Sequence, residues 1–501
     1  MSDSQLQSYV PGAGYRTGVA DYREVNNLLL SFFICSFVTL LFLSVYDALF
    51  HWFIIPVFLC GVIIGSDAVA WVRGQLDIFD PIGLLGLFGV YFFFLAPILH
   101  VVWGVWLKYV DYPADWRFWL GCMAVLNFLG LLIYRFTREK LWRRKGSKIV
   151  KKTWVLEEGR FAVILIITLI LTAALQLWVY SRYGGISGYI HSVVDVTGAF
   201  RGMGWIFMIS ESFPILLLIG FAVYSRKHAF LKSWPAIFIA LVVFMGLQML
   251  FGGLRGSRST VIFSTLWAIG IIHFIVRKFS KTAILVILVF FIAFMFVYGF
   301  YKSSGVRVFE IASNPKVIAE LEQKSGRTLP NLLLEDLGRS DVQAFILYRL
   351  TRPESDYEYS WGRTYIGAAE ILLPNFILPT RTPTKIKEGT EALYGKGSFS
   401  ATFSSSLVYG LTGEAMLNFG PIVVPLVFIL LGFIVFYVRR LMLALTTSNS
   451  FDSRLLFLPL LAILCIVILT SDSDNVIFFI VKMGFVPFLV VLLGSKRRLS
   501  E

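Results

Sequence analysis

The sequence predicts an all-α polytopic membrane protein with about twelve transmembrane helices, and three observations predict it. Of 501 residues, 57% are hydrophobic and only 15% charged, with mean hydropathy +0.75, whereas an ordinary globular chain is roughly a quarter charged. Apolar segments of about 17 residues or more recur along the chain, each long enough to cross some 30 Å of hydrocarbon as a helix. Lys and Arg gather in alternate connections, the pattern left by membrane insertion.

Taken in order, the first 27 residues are polar and carry Arg16 and Arg23. They run into an apolar segment with no small-residue cleavage site behind it, which reads as an uncleaved first span rather than a signal peptide. Spans are expected near 28–46, 49–66, 82–103 and 117–134, then 161–180, 204–224, 234–252, 259–276 and 282–300, and finally 419–438, 455–471 and 475–494. The connection RFTREKLWRRKGSKIVKK over 135–152 is the strongest orientation marker, because Lys and Arg are retained on the cytoplasmic side. With that loop inside, SRKH (225–228), RKFSK (277–281), RR (439–440) and KRR (496–498) fall on the same side, and both termini are predicted cytoplasmic.

The formal charge of +14, from 45 Lys+Arg against 31 Asp+Glu, is therefore mostly topological and does not call for a nucleic-acid partner. Cys35, Cys60, Cys122 and Cys465 all lie in apolar runs, so no disulfide framework is implied. Five scattered histidines offer no metal constellation, and neither a nucleotide-binding glycine loop nor a zinc helix is present. No cofactor is called for.

One connection breaks the pattern of short loops. Residues 301–404 form a long polar stretch on the opposite, periplasmic or extracellular face, and loops beyond about 15 residues are usually functional or disordered. Leu333, Leu337, Phe345 and Leu350 make a rough helical stripe, while 365–379 is apolar but too short and proline-broken to span. The expected division is a bundle over 1–300, a loop with amphipathic helices over 301–404 forming an outer cap, and a second bundle over 405–501.

Positive charge on the outer face runs against the insertion bias and needs a reason. The loop FGGLRGSRST (251–260) places Arg255 and Arg258 among glycines and hydroxyls at a helix start. Glycine permits close backbone approach, a helix N-terminus favours phosphate, and guanidinium matches phosphate oxygens bidentately. The plainer reading is that both arginines sit at lipid headgroups. The preceding outer loop (181–205) adds Arg182, His191, Asp195 and Arg201; the long loop adds Arg339, Arg349, Arg352, Arg363 and Arg381. Surface ion pairing accounts for any one of these as well as ligand binding does.

Carboxylates can supply the other half of a reaction. Glu414, in a segment apolar enough to enter the membrane, and Glu211, in the upper part of the sixth span, are costly there unless paired or functional. Either could serve as a base, or Glu414 could pair with an outer arginine and hold the cap. Glu370, Asp472 and Asp474 rank lower, since a turn aspartate is most often a turn former. Tyr357, Tyr359, Trp361 and Tyr365, clustered beside Arg363, suit either stacking on sugar rings or anchoring at the membrane surface.

As an ordered set, GGLRGSRS opening a mid-chain helix, the long outer loop, LLPNFILPTRTPTK and SSSLVYGLTGEAMLNFGP over roughly residues 180–494 resemble the bacterial O-antigen polymerases, the Wzy-type oligosaccharide repeat-unit polymerases. The resemblance implies a GT-C-like glycosyltransferase of the inner membrane in polysaccharide and lipopolysaccharide biosynthesis. It would join undecaprenyl-diphosphate-linked oligosaccharides on the outer face, with membrane lipid and a chain-length regulator protein as partners. In that setting Arg255 and Arg258, helped by Arg201 or Arg363 and with Arg339 and Arg381 in reserve, would hold the diphosphate without a metal. Glu414 first, and Glu211 second, would take the proton from the acceptor hydroxyl. An O-antigen ligase transferring to lipid A core, or a flippase for the same lipid-linked substrate, is the rival reading; a one-sided outer loop without related halves favours an enzyme over a flippase.

Overall fold

The fold is taken from a computed structural model, which describes residues 17–107, 110–111, 113–145, 152–195, 200, 202–256, 258–304, 328–373, 377–400, 403–405, 407–448 and 450–499. Among these, twelve helical segments are long and apolar enough to cross a membrane: Glu24–Leu43, Ile54–Val72, Pro81–Trp103, Trp116–Arg143, Glu158–Arg182, Gly204–Ser225, Trp234–Arg255, Arg258–Val276, Lys281–Tyr301, Pro421–Thr446, Ser453–Thr470 and Ser473–Leu493. The chain is an all-α polytopic membrane protein.

Three spans outrun their sequence limits because charge does not end them. The second continues past Ser66 through Asp67, whose carboxylate is held by Arg138 at 2.7 Å. The fourth runs on through Arg135 and Arg138, and the tenth through Arg439, which reaches Asp80 at 3.0 Å. A charge paired this way costs far less to bury than a bare one.

Contacts group the chain into two units, each drawn from separate stretches of sequence. The first comprises Met1–Ile149, Leu333–Thr447 and Leu464–Phe478; the second Val150–Leu332, Ser448–Ile463 and Phe479–Glu501. In the first unit, the helix Ser340–Thr351 from the long loop is not the amphipathic surface helix that the sequence suggested. Val342, Ala344, Phe345 and Ile346 join Leu49, Phe53, Val57, Ile98, Met416 and Leu417 in one core. Its polar residues enter because they find partners: Gln343 donates to the Tyr409 carbonyl at 2.9 Å. Close helix packing uses glycine here, since a Cβ at Gly130 of the fourth span would collide with the Phe428 ring of the tenth.

In the second unit, Tyr180, Tyr189, Met203 and Phe207 form one cluster and Tyr298, Phe300 and Tyr301 another. Strands Lys152–Leu156 and Ser495–Leu499 pair antiparallel, Trp154 opposite Arg497, and so tie the basic loop to the chain's last turn. The Asp452 carboxylate accepts from the Trp154 amide at 3.2 Å.

Candidate functional site

Among the described residues, each unit holds a buried cluster of charged groups around a glutamate. In the first unit the helix Gly410–Phe419 carries Glu414. Gly410 opens it at φ 71°, with the Leu469 carbonyl 3.1 Å from where a Cβ would stand, so glycine is required on both counts. Asp472, fully buried, accepts from the Tyr409 and Gly410 amides at 2.9 and 2.8 Å. It thereby satisfies amides at the start of that helix, a favourable place for a carboxylate. Its other oxygen pairs with Lys385, which also lies 3.6 Å from Asp474.

The Glu414 carboxylate, 3% exposed, is held by hydroxyls and one amide rather than by a cation. Oε1 accepts from Thr364 Oγ1 at 2.7 Å and Ser473 Oγ at 2.6 Å, and Oε2 accepts from the Ser473 amide at 2.6 Å. Thr364 Oγ1 in turn accepts from Asn418 Nδ2 at 2.7 Å, which leaves its own proton for Glu414. Burial first, then the negative charge of Asp472, push the Glu414 carboxyl up to about 7 against the donated hydrogen bonds. Burial also raises Asp472, with Lys385 opposing it.

Of the arginines in this unit, Arg363 directly precedes Thr364, is about half exposed and lies 3.4 Å from Glu388. Arg339 and Arg381 each meet backbone carbonyls through one guanidinium nitrogen. Arg339 donates to the carbonyls of Asp336 at 2.9 Å, Glu335 at 3.2 Å and Gly338, all at the end of the turn that precedes it. Burial pushes its pKa down, opposed by Asp472, Asp341 and Asp336. Arg381 donates to the Leu373 carbonyl at 2.5 Å. The remaining guanidinium nitrogens take no part in these bonds. Glu370 likewise closes a turn, accepting from the Thr382 amide at 2.7 Å.

In the second unit Glu211 stands where the sixth span is interrupted, between the helices Gly204–Ser210 and Phe213–Ser225. Pro214, just inside the second helix, cannot donate a backbone bond, which explains the break. Arg255 Nη2 lies 2.6 Å from one carboxylate oxygen and Lys482 Nζ 2.7 Å from the other. Lys482 also donates to Thr260 Oγ1 at 2.7 Å, and the Arg255 guanidinium lies 4.5 Å from the centre of the Phe207 ring. Lys482 itself sits in a widened turn, Ile480–Gly484, of the last span, an irregularity that recurs at functional sites. Tyr180, Tyr298 and Tyr301 donate to the carbonyls of Leu250, Gly253 and Leu254 and so fix the turn that presents Arg255. Arg258 follows, partly exposed, at the first position of the helix Arg258–Ile271.

Two cations on one carboxylate leave this cluster with a net positive charge. The arrangement suits binding an anion better than removing a proton, whereas Glu414 suits the reverse. Arg201 and Ser257 lie outside the described residues, as does the Asp195 side chain. Lys482, Lys385, Thr364 and Ser473 were not singled out in the sequence. Lys482 alone left a signal, a lysine in mid-span. Among the described residues no three His, Cys, Asp or Glu side chains gather as a metal site. Family models, curated proteins and solved structures give no match to the chain.

Proposed function

We propose that the protein is a membrane glycosyltransferase that polymerises polyprenyl-diphosphate-linked oligosaccharide repeat units, with its site on the periplasmic face of a bacterial inner membrane and both termini in the cytoplasm. The observation that carries the reading is Glu414: a buried carboxyl held by hydroxyls, with a pKa pushed up to about 7. A general base works best when its pKa lies near the operating pH.

In the reaction, the acceptor sugar hydroxyl gives its proton to the Glu414 carboxylate as its oxygen bonds to C1 of the donor chain. The bond from C1 to the diphosphate breaks, and the lipid diphosphate leaves with the electron pair. Arg363, beside Thr364 in the same unit as Glu414, is assigned to the acceptor; Arg255 and Arg258 of the second unit are proposed, taken by themselves, to bind a lipid diphosphate. Guanidinium groups stabilise charge that develops on the leaving group without a proton transfer.

The test is incubation of the purified protein with a synthetic polyprenyl-diphosphate repeat unit, read by gel. A ladder formed without lipid A core supports the polymerase. Product only when core is added replaces it with a ligase, and no product with either acceptor removes the transferase reading.

A further inference from the structure

The aromatic residues beside Glu414 are not equivalent. Tyr357 turns its hydroxyl inward, onto Ser360 Oγ at 2.8 Å and the Leu417 carbonyl at 3.0 Å. Trp361 points the other way and is 74% exposed, so at least one face of the indole is open. Its φ is 47°, and no other non-glycine residue among those described has a positive φ. A tryptophan in the left-handed region is strained and persists only where its surroundings over-determine it.

Here the surroundings do so. The Ser360 amide donates to the Leu417 carbonyl at 3.0 Å, the Trp361 amide to the Asn418 carbonyl at 2.9 Å, and the Gly362 amide to Asn418 Oδ1 at 2.9 Å. These are the last residues of the helix that carries Glu414, and Asn418 is also the partner of Thr364. Asn418 therefore serves both ends, its Nδ2 donating to Thr364 beside the carboxyl and its carbonyl and Oδ1 accepting from the backbone that carries the indole. Phe419 and Tyr359 meet the ring at steep angles, with centroids 6.3 and 6.4 Å away. Close by in the chain, Arg363 is about half exposed, and Glu358, paired with Lys396 at 2.7 Å, is more so. An open apolar face, with exposed groups two and three residues away in the chain that can bond hydroxyls, has the chemistry that recognises a pyranose ring.

We propose that Trp361 is a carbohydrate platform, on which one sugar ring of the acceptor oligosaccharide stacks while Arg363 and its neighbours bond the hydroxyls. This rests on reading the Glu414 cluster as a site that handles carbohydrate, and adds a specificity element to it.

The test uses the full chain in detergent and, as probe, the oligosaccharides released by mild acid from the host's own polyprenyl-diphosphate pool. Binding to the wild type, Trp361→Phe and Trp361→Gly is compared. Glycine adopts φ 47° without strain, so Trp361→Gly removes the ring and keeps the fold. Trp361→Gly is expected to weaken the best-bound oligosaccharide roughly three- to tenfold, and Trp361→Phe by less than about threefold. Equal binding by wild type and Trp361→Gly, or no oligosaccharide bound by the wild type, overturns the platform. So does quenching of the Trp361 fluorescence, taken as wild type minus Trp361→Phe, by brominated lipids in nanodiscs, which would make the ring a membrane anchor. The probe lacks a diphosphate, so a protein that binds it yet never elongates refutes the transferase reading and leaves the platform standing.

Discussion

Replacing Glu414 with Gln separates a working carboxylate from a structural one, because the two roles predict opposite effects on stability. The Glu414 carboxyl is raised from its usual 4.5 to about 7, chiefly by burial and then by Asp472. A group whose folded pKa lies above its unfolded value loses stability as pH rises between the two, here from 4.5 to about 7. At 1.36 kcal/mol for each pKa unit, the ionised carboxylate costs the fold roughly 3 kcal/mol above pH 7. Gln keeps the shape and does not titrate. Glu414→Gln should therefore match the wild type near pH 4 and be the more stable protein at pH 8, by roughly 3 kcal/mol, while losing elongation. Wild-type elongation should fall as pH drops through about 7, since the base must be ionised. Thermal unfolding in detergent at pH 4 to 8, followed by tryptophan fluorescence, reads the first effect, and gel ladders over the upper part of that range read the second. A variant less stable than wild type at every pH, or an elongation rate flat from pH 6 to 8, would refute the reasoning.

Asp472→Asn takes negative charge from beside Glu414, so its elongation profile should move to lower pH; a profile unmoved or shifted upward contradicts that. In the second unit Lys482→Met leaves Glu211 and Arg255 as a matched pair, whereas Glu211→Gln takes the carboxylate from between buried Lys482 and partly buried Arg255. Both should destabilise, Glu211→Gln more severely and toward the upper end of about 3–5 kcal/mol; thermal unfolding giving the reverse order would count against the cluster. Gly130→Ala forces its methyl into the Phe428 ring and should cost about 1–3 kcal/mol, while Gly159→Ala, with open space around it, should be close to neutral. Equal melting temperatures for those two variants would disprove the close packing of the fourth and tenth spans.

The twelve spans were legible because each is a contiguous apolar run, and hydropathy needs no knowledge of the rest of the chain. What failed were judgements that depend on a distant partner. Asp67 looks like the end of a helix until Arg138 is placed against it. Asp472 looks like a turn former, and it does sit in a turn; nothing nearby shows that Lys385 and the Tyr409 and Gly410 amides converge on it. Lys482 hardly lowers the hydropathy of its span, and Glu211, the group that makes it tolerable, comes from another helix. The helix Ser340–Thr351 carries Ser, Asp and Gln, so its near-complete burial cannot be seen in its own periodicity. The strand pair joins segments far apart in the chain, and its second strand, SKRRL, reads as a basic tail. Of the two clusters, Glu414 and Glu211 were legible from charge in apolar surroundings, and Arg255 from positive charge on the outer face. The hydroxyls that hold Glu414 were not, because nothing in the local sequence around Thr364 or Ser473 marks the carboxylate that each meets.

The central claim is that Glu414 removes the proton from an acceptor sugar in a chain-elongating reaction. The most direct measurement is elongation of a polyprenyl-diphosphate repeat unit by purified wild type, Glu414→Gln and Arg258→Ala, side by side at pH 8 with folding checked by thermal unfolding. The account predicts a ladder from the wild type and none from either variant, both remaining folded. A ladder of undiminished length and rate from Glu414→Gln would contradict it.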